Sequence, residues 1–183
     1  MKNLIKWLIL ALLLVAVIVA AVLLYNKYSE EYSAEIPEEN TIPAPDFTVF
    51  DNEGNAVKLS DFKGKPVVLN FWATWCHYCK EGLPGFENLY KKHPEVQFLM
   101  VNATDGVQET ETAARKYIKE KGYTFNVYYD TRMSASTAYG VTGLPNTYFI
   151  NAEGEVVARA GGYIDESTLE KGINMIMEQN NGN

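Results

Sequence analysis

The chain has 183 residues, 47% of them hydrophobic and 13% aromatic, enough apolar material for one packed domain and too much for wholesale disorder. Its 23 acidic against 16 basic side chains leave a net charge of -7, without the basic surplus that would displace counterions from nucleic-acid phosphates. Two cysteines are too few for a disulfide-stapled miniprotein or a four-thiolate zinc centre, but enough to pair with each other.

Residues 1–28 contain Lys2, Lys6 and Lys27 and no acid, and from Leu8 to Leu24 there is no polar side chain. A helix from Trp7 to Tyr25 would be about 28 Å long, close to the hydrocarbon thickness of a bilayer, with Trp7 and Tyr25 as interface anchors. Lys2 and Lys6 before the span, and acids after Lys27, predict a cytoplasmic N-terminus and an exported remainder. A cleaved signal peptide shares the charged start, and Val19-Ala20-Ala21 is a weak cleavage site. The apolar run continues through Val22-Leu23-Leu24, which favours an uncleaved anchor. Residues 29–45 read as an acidic linker punctuated by Pro37, Pro43 and Pro45, the composition of an extended tether.

Residues 46–178 alternate strand and helix signals. Phe47 to Phe50 and Ala56 to Leu59 flank Asp51-Asn52-Glu53-Gly54, predicting an N-terminal β-hairpin. The run Val67 to Trp72 reads as a strand buried on both faces, followed by a helix from Cys76 to Lys92 with Pro84 expected to kink it. Val96 to Val101 is a second buried strand, Gln108 to Glu120 a helix with Gly122 as its cap, and Phe125 to Tyr129 a third strand. Ser134 to Tyr139 predicts a short helix, Thr147 to Ile150 and Glu155 to Ala160 a hairpin, and Asp165 to Met177 a closing helix. Residues 179–183 read as a disordered tail. The pattern is that of an α/β fold, a mixed sheet with helices on both faces.

The chemistry lies in Trp72-Ala73-Thr74-Trp75-Cys76-His77-Tyr78-Cys79, a Cys-x-x-Cys that follows a buried strand and opens a helix. Free N–H groups and the positive end of the helix dipole stabilise a thiolate at Cys76, the expected nucleophile. Cys79, three residues on along the same face, is expected to resolve the mixed disulfide. A purely structural disulfide gains little by closing so short a loop, and a metal site would need soft ligands beyond His77 and His93, so no metal is expected.

The segments Ala44-Pro45-Asp46-Phe47, Leu59 to Pro66 and Phe71 to Cys76, with the later Gly143-Leu144-Pro145, Thr147-Tyr148-Phe149-Ile150 and Glu153-Gly154, resemble the TlpA/ResA branch of thioredoxin-like proteins. The resemblance runs from Ala44 to Met177 and implies a thioredoxin-like fold and a membrane-tethered, extracytoplasmic thiol-disulfide oxidoreductase, often a reductant in cytochrome c maturation. It implies exported disulfide-containing proteins as substrates, a membrane electron donor, and no cofactor beyond a redox-active Cys76–Cys79 disulfide. It also implies that Pro145 is a cis-proline opposite the cysteines and that the backbone beside Leu144 pairs with a substrate strand. By pattern alone an ordinary trans turn after Gly143 stays open. The long interval between Cys79 and Pro145 leaves room for an extra strand-helix unit, which that branch carries.

Three departures bear on mechanism. Asn70 stands where thioredoxin has a buried acid, so it cannot accept a proton. Gly82 stands where the branch commonly has a glutamate, and Glu81, about 100° away on a helix, is expected to face solvent. His77-Tyr78 replaces the usual proline-containing dipeptide, and a protonated His77 would lower the Cys76 pKa and make the pair more oxidising. Trp75 is expected to form an apolar substrate rim; Trp72 fits either rim or core. A disulfide-donating oxidase uses the same residues, and a copper-binding chaperone would need further ligands. A thiol peroxidase usually has threonine three residues before its cysteine, whereas Thr74 is two before.

Overall fold

The computed structural model describes residues 6–7, 12–22 and 41–180. Residues 12–22 are helical with exposed side chains and belong to a compact unit of their own, distinct from the unit holding residues 41–180. The span expected over Trp7 to Tyr25 lies partly outside the described residues, among which no helix is long and apolar enough to cross a membrane. Most of the expected linker and the last three residues of the expected tail also lie outside them.

The second unit is built on eight strands: β1 (Ile42–Pro43), β2 (Thr48–Phe50), β3 (Ala56–Lys58), β4 (Val67–Trp72), β5 (Gln97–Asn102), β6 (Val127–Tyr129), β7 (Asn146–Ile150) and β8 (Glu155–Gly161). They form one mixed sheet in the order β1-β8-β7-β4-β5-β6-β2-β3. β4, β5 and β6 run parallel, while β7 lies antiparallel to β4 and β2 antiparallel to β6. Among its described residues the α-helices of this unit are α1 (His77–Lys92), α2 (Glu111–Lys121), α3 (Ser134–Ala138) and α4 (Glu166–Asn180). This is the thioredoxin-like α/β architecture with a mixed sheet.

The two faces of β4 serve two cores, because successive side chains on a strand point to opposite sides. Val68 and Trp72 pack with Phe98, Met100 and the apolar faces of α1, α2 and α4. Val67, Leu69 and Phe71 pack with Leu99, Val101, the hairpin residues Phe47 and Val49, and Ala135 of α3. The whole of β4 is therefore buried, as its unbroken apolar run predicts. Helix α1 runs through Pro84 without interruption.

Element boundaries move where a local hydrogen bond outweighs the apolar pattern. The expected helix from Gln108 starts instead at Glu111, because the Thr110 side chain caps it by accepting the Ala113 N–H at 3.2 Å. The sheet begins inside the stretch read as linker: Ile42 and Pro43 pair with Val156 and Glu155 of β8. The closing helix runs on to Asn180 where a tail was expected.

Two contacts tie the helices to the rest. Glu87 of α1 is buried, accepts the Thr124 and Phe125 N–H groups at 2.8 and 3.3 Å and the Thr124 hydroxyl at 2.7 Å, and pairs with Lys91 at 2.8 Å. Burial pushes its carboxyl up, but Lys91 and the Thr124 and Phe125 donors together hold it below the usual carboxylate range. On the other helix, Gly172 of α4 lies so close to the buried Phe149 ring of β7 that a Cβ would overlap it.

Gly172→Ala should therefore lower the thermal midpoint. Overpacking costs about 1–3 kcal/mol and exceeds the gain of up to about 1 kcal/mol in helix propensity. An unchanged or raised melting temperature would show that Phe149 yields freely. Glu87→Gln carries a pH signature, since a carboxyl lowered on folding adds stability above its unfolded value near 4.5 and loses it as pH falls. The variant should be less stable than wild type by about 1–3 kcal/mol at pH 7, with the gap closing below pH 4.5 in paired denaturant titrations.

Candidate active site

β4 ends at Trp72, and the chain turns through Ala73, Thr74 and Trp75 into α1. Cys76 occupies the N-cap: its backbone is extended (φ -76°, ψ 113°), and its Sγ accepts the Cys79 N–H at 3.1 Å. A sulfur in that position takes up one of the donors that a helix start leaves unpaired. Cys76 and Cys79 form a disulfide with their Cα atoms 5.3 Å apart. Both are buried, at 5% and 3% exposure, within the core beneath α1.

Pro145 reaches this point because of register. β7 pairs antiparallel with β4, Asn70 opposite Thr147 and Phe71 opposite Asn146, so the residue that precedes β7 lies by the end of β4. The Leu144–Pro145 bond is cis, and the Pro145 carbonyl accepts the Gly162 N–H at 2.8 Å. Cys79, Pro145, Asn70, Tyr78 and Tyr163 all line one crevice of about 10 Å³, at the lower limit for a single water. A hollow of about 330 Å³ lies at the other end of β4, beside Val67 and Ile150, and no cysteine lines it.

The remaining sequence candidates separate. Trp72 is core, fully buried, its indole N–H directed at the Met100 carbonyl at 3.4 Å. Trp75 stays 47% exposed beside the cysteines, with Tyr78 and Tyr163 similarly open. His77 is exposed at the first position of α1 and pairs through Nε2 with Glu81 Oε1 at 3.2 Å, so the neighbouring carboxylate offsets any positive charge on the imidazole. Leu144 is half-buried against both cores. Asn70 is buried, its Oδ1 accepting the Thr147 hydroxyl at 3.1 Å. Among the described residues no group of three or more His, Cys, Asp or Glu side chains is placed to hold a metal ion.

One residue at the site escaped sequence reasoning. Glu109 lies in the loop between β5 and α2, fully buried, and its Oε2 accepts both the N–H and the hydroxyl of Thr74, at 3.0 and 2.6 Å. It falls in the polar stretch from Thr104 to Thr110, where nothing in the sequence marks one acid as buried.

The AhpC/TSA family profile matches residues 41–159. The thiol-disulfide oxidoreductase ResA of Bacillus subtilis is 37% identical over 154 residues, 83% of this chain and 84% of its own length. The ResA of Bacillus cereus is 33% identical over 177 residues, 96% of this chain and 98% of its own. The crystal structure of StoA from Bacillus subtilis superposes with a TM-score of 0.62 at 26% identity, covering 73% of this chain and 99% of that one.

Proposed function

The chain belongs to the AhpC/TSA family and is a thiol-disulfide oxidoreductase of the ResA type with a Cys76–Cys79 pair; from that premise we propose that it reduces disulfides of exported proteins, apocytochrome c among them. It does so outside the cytoplasm, held by an uncleaved N-terminal anchor, and a membrane electron donor returns it to the dithiol. The disulfide at the N-terminus of α1 with Pro145 beside it carries the reading. The charge asymmetry of residues 1–28 and the apolar run from Leu8 to Leu24 support the anchor and its orientation.

In the reducing direction the Cys76 thiolate attacks one sulfur of the substrate disulfide, and the other leaves as a thiolate that takes a proton. The Cys79 thiol then loses its proton and attacks Cys76 Sγ in the mixed disulfide, releasing the second substrate thiol and leaving the Cys76–Cys79 bond. Two electrons have passed to the substrate, and two from the donor reopen the bond. The helix N-terminus favours the thiolate at Cys76, which makes it the attacking residue. Half-exposed Trp75, with Tyr78 and Tyr163, supplies an apolar rim against which a substrate segment rests while its backbone pairs beside Leu144. His77 tunes the pair only modestly, being solvated and matched by Glu81.

Cys79→Ser should accumulate a mixed disulfide through Cys76, and Cys76→Ser should abolish nearly all exchange. Preferential alkylation of Cys79 in the reduced protein would reverse the two roles. The direction of electron flow is read from equilibrium with glutathione. A potential at or below about -220 mV fits the reductase, and one near about -120 mV would instead make the protein a disulfide donor.

A further inference from the structure

The acid that thioredoxin carries beneath its cysteines is here the neutral Asn70, yet a carboxylate is buried behind the active-site turn from another direction. Glu109 is 0% exposed. Its Oε2 takes the Thr74 N–H and hydroxyl, and its Oε1 takes the Asn102 side-chain N–H at 2.9 Å. The Thr104 hydroxyl donates to Asn102 Oδ1 at 2.7 Å, which fixes the orientation of that amide. Both Glu109 oxygens thus accept from N–H donors, a donor set that suits a carboxylate. Among the described residues no Lys or Arg pairs with it.

We infer that Glu109 is a positioning residue for the redox pair: it clamps Thr74, so holding the turn that presents Cys76, and sets a negative charge behind that cysteine. Thr74 is two residues from Cys76, a Cα separation of at most about 7 Å, so the charge lies on the order of 10 Å from the sulfur. At that range, within the protein, a fixed anion changes thiolate population about tenfold, and its sign opposes the helix N-terminus. Of the other ionisable groups, His77 and Glu81 satisfy each other, the Lys80 ammonium lies over the Tyr117 ring, Asp105 is turned to the N–H groups of its own loop, and the buried Asp130, one strand farther from the pair at the end of β6, takes the Ala135 and Ser136 N–H groups. Tyr78 and Tyr163 stand exposed at the rim. Glu109 alone among these acids is buried and bonded to the turn. The effect holds for either direction of electron flow, and it rests on Cys76 as the attacking thiol.

The test is the pH profile of Cys76 alkylation by iodoacetamide in the reduced full-length chain, with Glu109→Gln against wild type. One pH unit below the wild-type midpoint, the variant should react about fivefold faster, since loss of the charge lowers the midpoint by about one unit and releases more thiolate. A profile superposing on wild type overturns the inference. Thr74→Val keeps the charge and removes only the hydroxyl contact. It should leave the alkylation midpoint in place and slow reduction of insulin disulfides several-fold. If Glu109→Gln loses its cooperative thermal transition, the Thr74→Val variant decides, and insulin reduction at the wild-type rate overturns the clamp. Labelling of Cys79 before Cys76 in wild type would instead overturn the assignment of the attacking thiol, and with it the premise of this inference.

Discussion

The turn from β4 into α1 is the constraint on which the rest depends. A strand buried on both faces must deliver the chain to a helix start within a few residues, and the helix must leave its first donors pointed at something. Here that something is Cys76 Sγ, which accepts the Cys79 N–H and is bonded to Cys79 itself. The cap and the redox group are one sulfur. Opening the disulfide therefore changes the charge at the point where the helix dipole is strongest, and the sheet behind it holds the backbone in place.

Everything else at the site is positioned by what lies beside β4. Its antiparallel neighbour β7 brings Pro145 and Thr147, and its parallel neighbour β5 ends at Asn102, which leads into the loop carrying Glu109. Two buried polar pairs result, Asn70 with Thr147 and Asn102 with Glu109, on either side of the turn. A buried polar group without a partner is costly, so each pair restricts its strand ends to one arrangement. Around this centre the aromatics Trp75, Tyr78 and Tyr163 stay exposed.

Glycine and proline mark where backbones come close. Gly82 of α1 faces Tyr163 and Ile164, and Gly85 faces Glu166, so α1 can lie against the start of α4 without a side chain between them. Gly172 does the same for α4 against Phe149. The helices sit close over the sheet, and the cysteine crevice is correspondingly narrow.

Much of this was legible in the chain itself, for a physical reason. Burial on both faces demands an unbroken apolar run, so Val67 to Trp72 announces β4, and a Cys-x-x-Cys directly after it announces a helix start with two sulfurs on one face. Periodicity also located the long helices to within a few residues. Tertiary structure alone decided matters that depend on residues far apart in sequence. The pairing of Ile42 and Pro43 with β8 carries no local signal, because an edge strand of two residues has no period to read. Trp72 is buried as the last residue of a strand covered on both faces, whereas Trp75, in the turn beyond it, is left 47% exposed. The role of Glu109 was hidden, because its partner Thr74 lies 35 residues away across a helix and a strand, and one glutamate in a polar stretch looks like any other until the fold encloses it. Local composition specifies elements and their chemistry; the enclosure of one charge by distant donors is a property only of the folded chain.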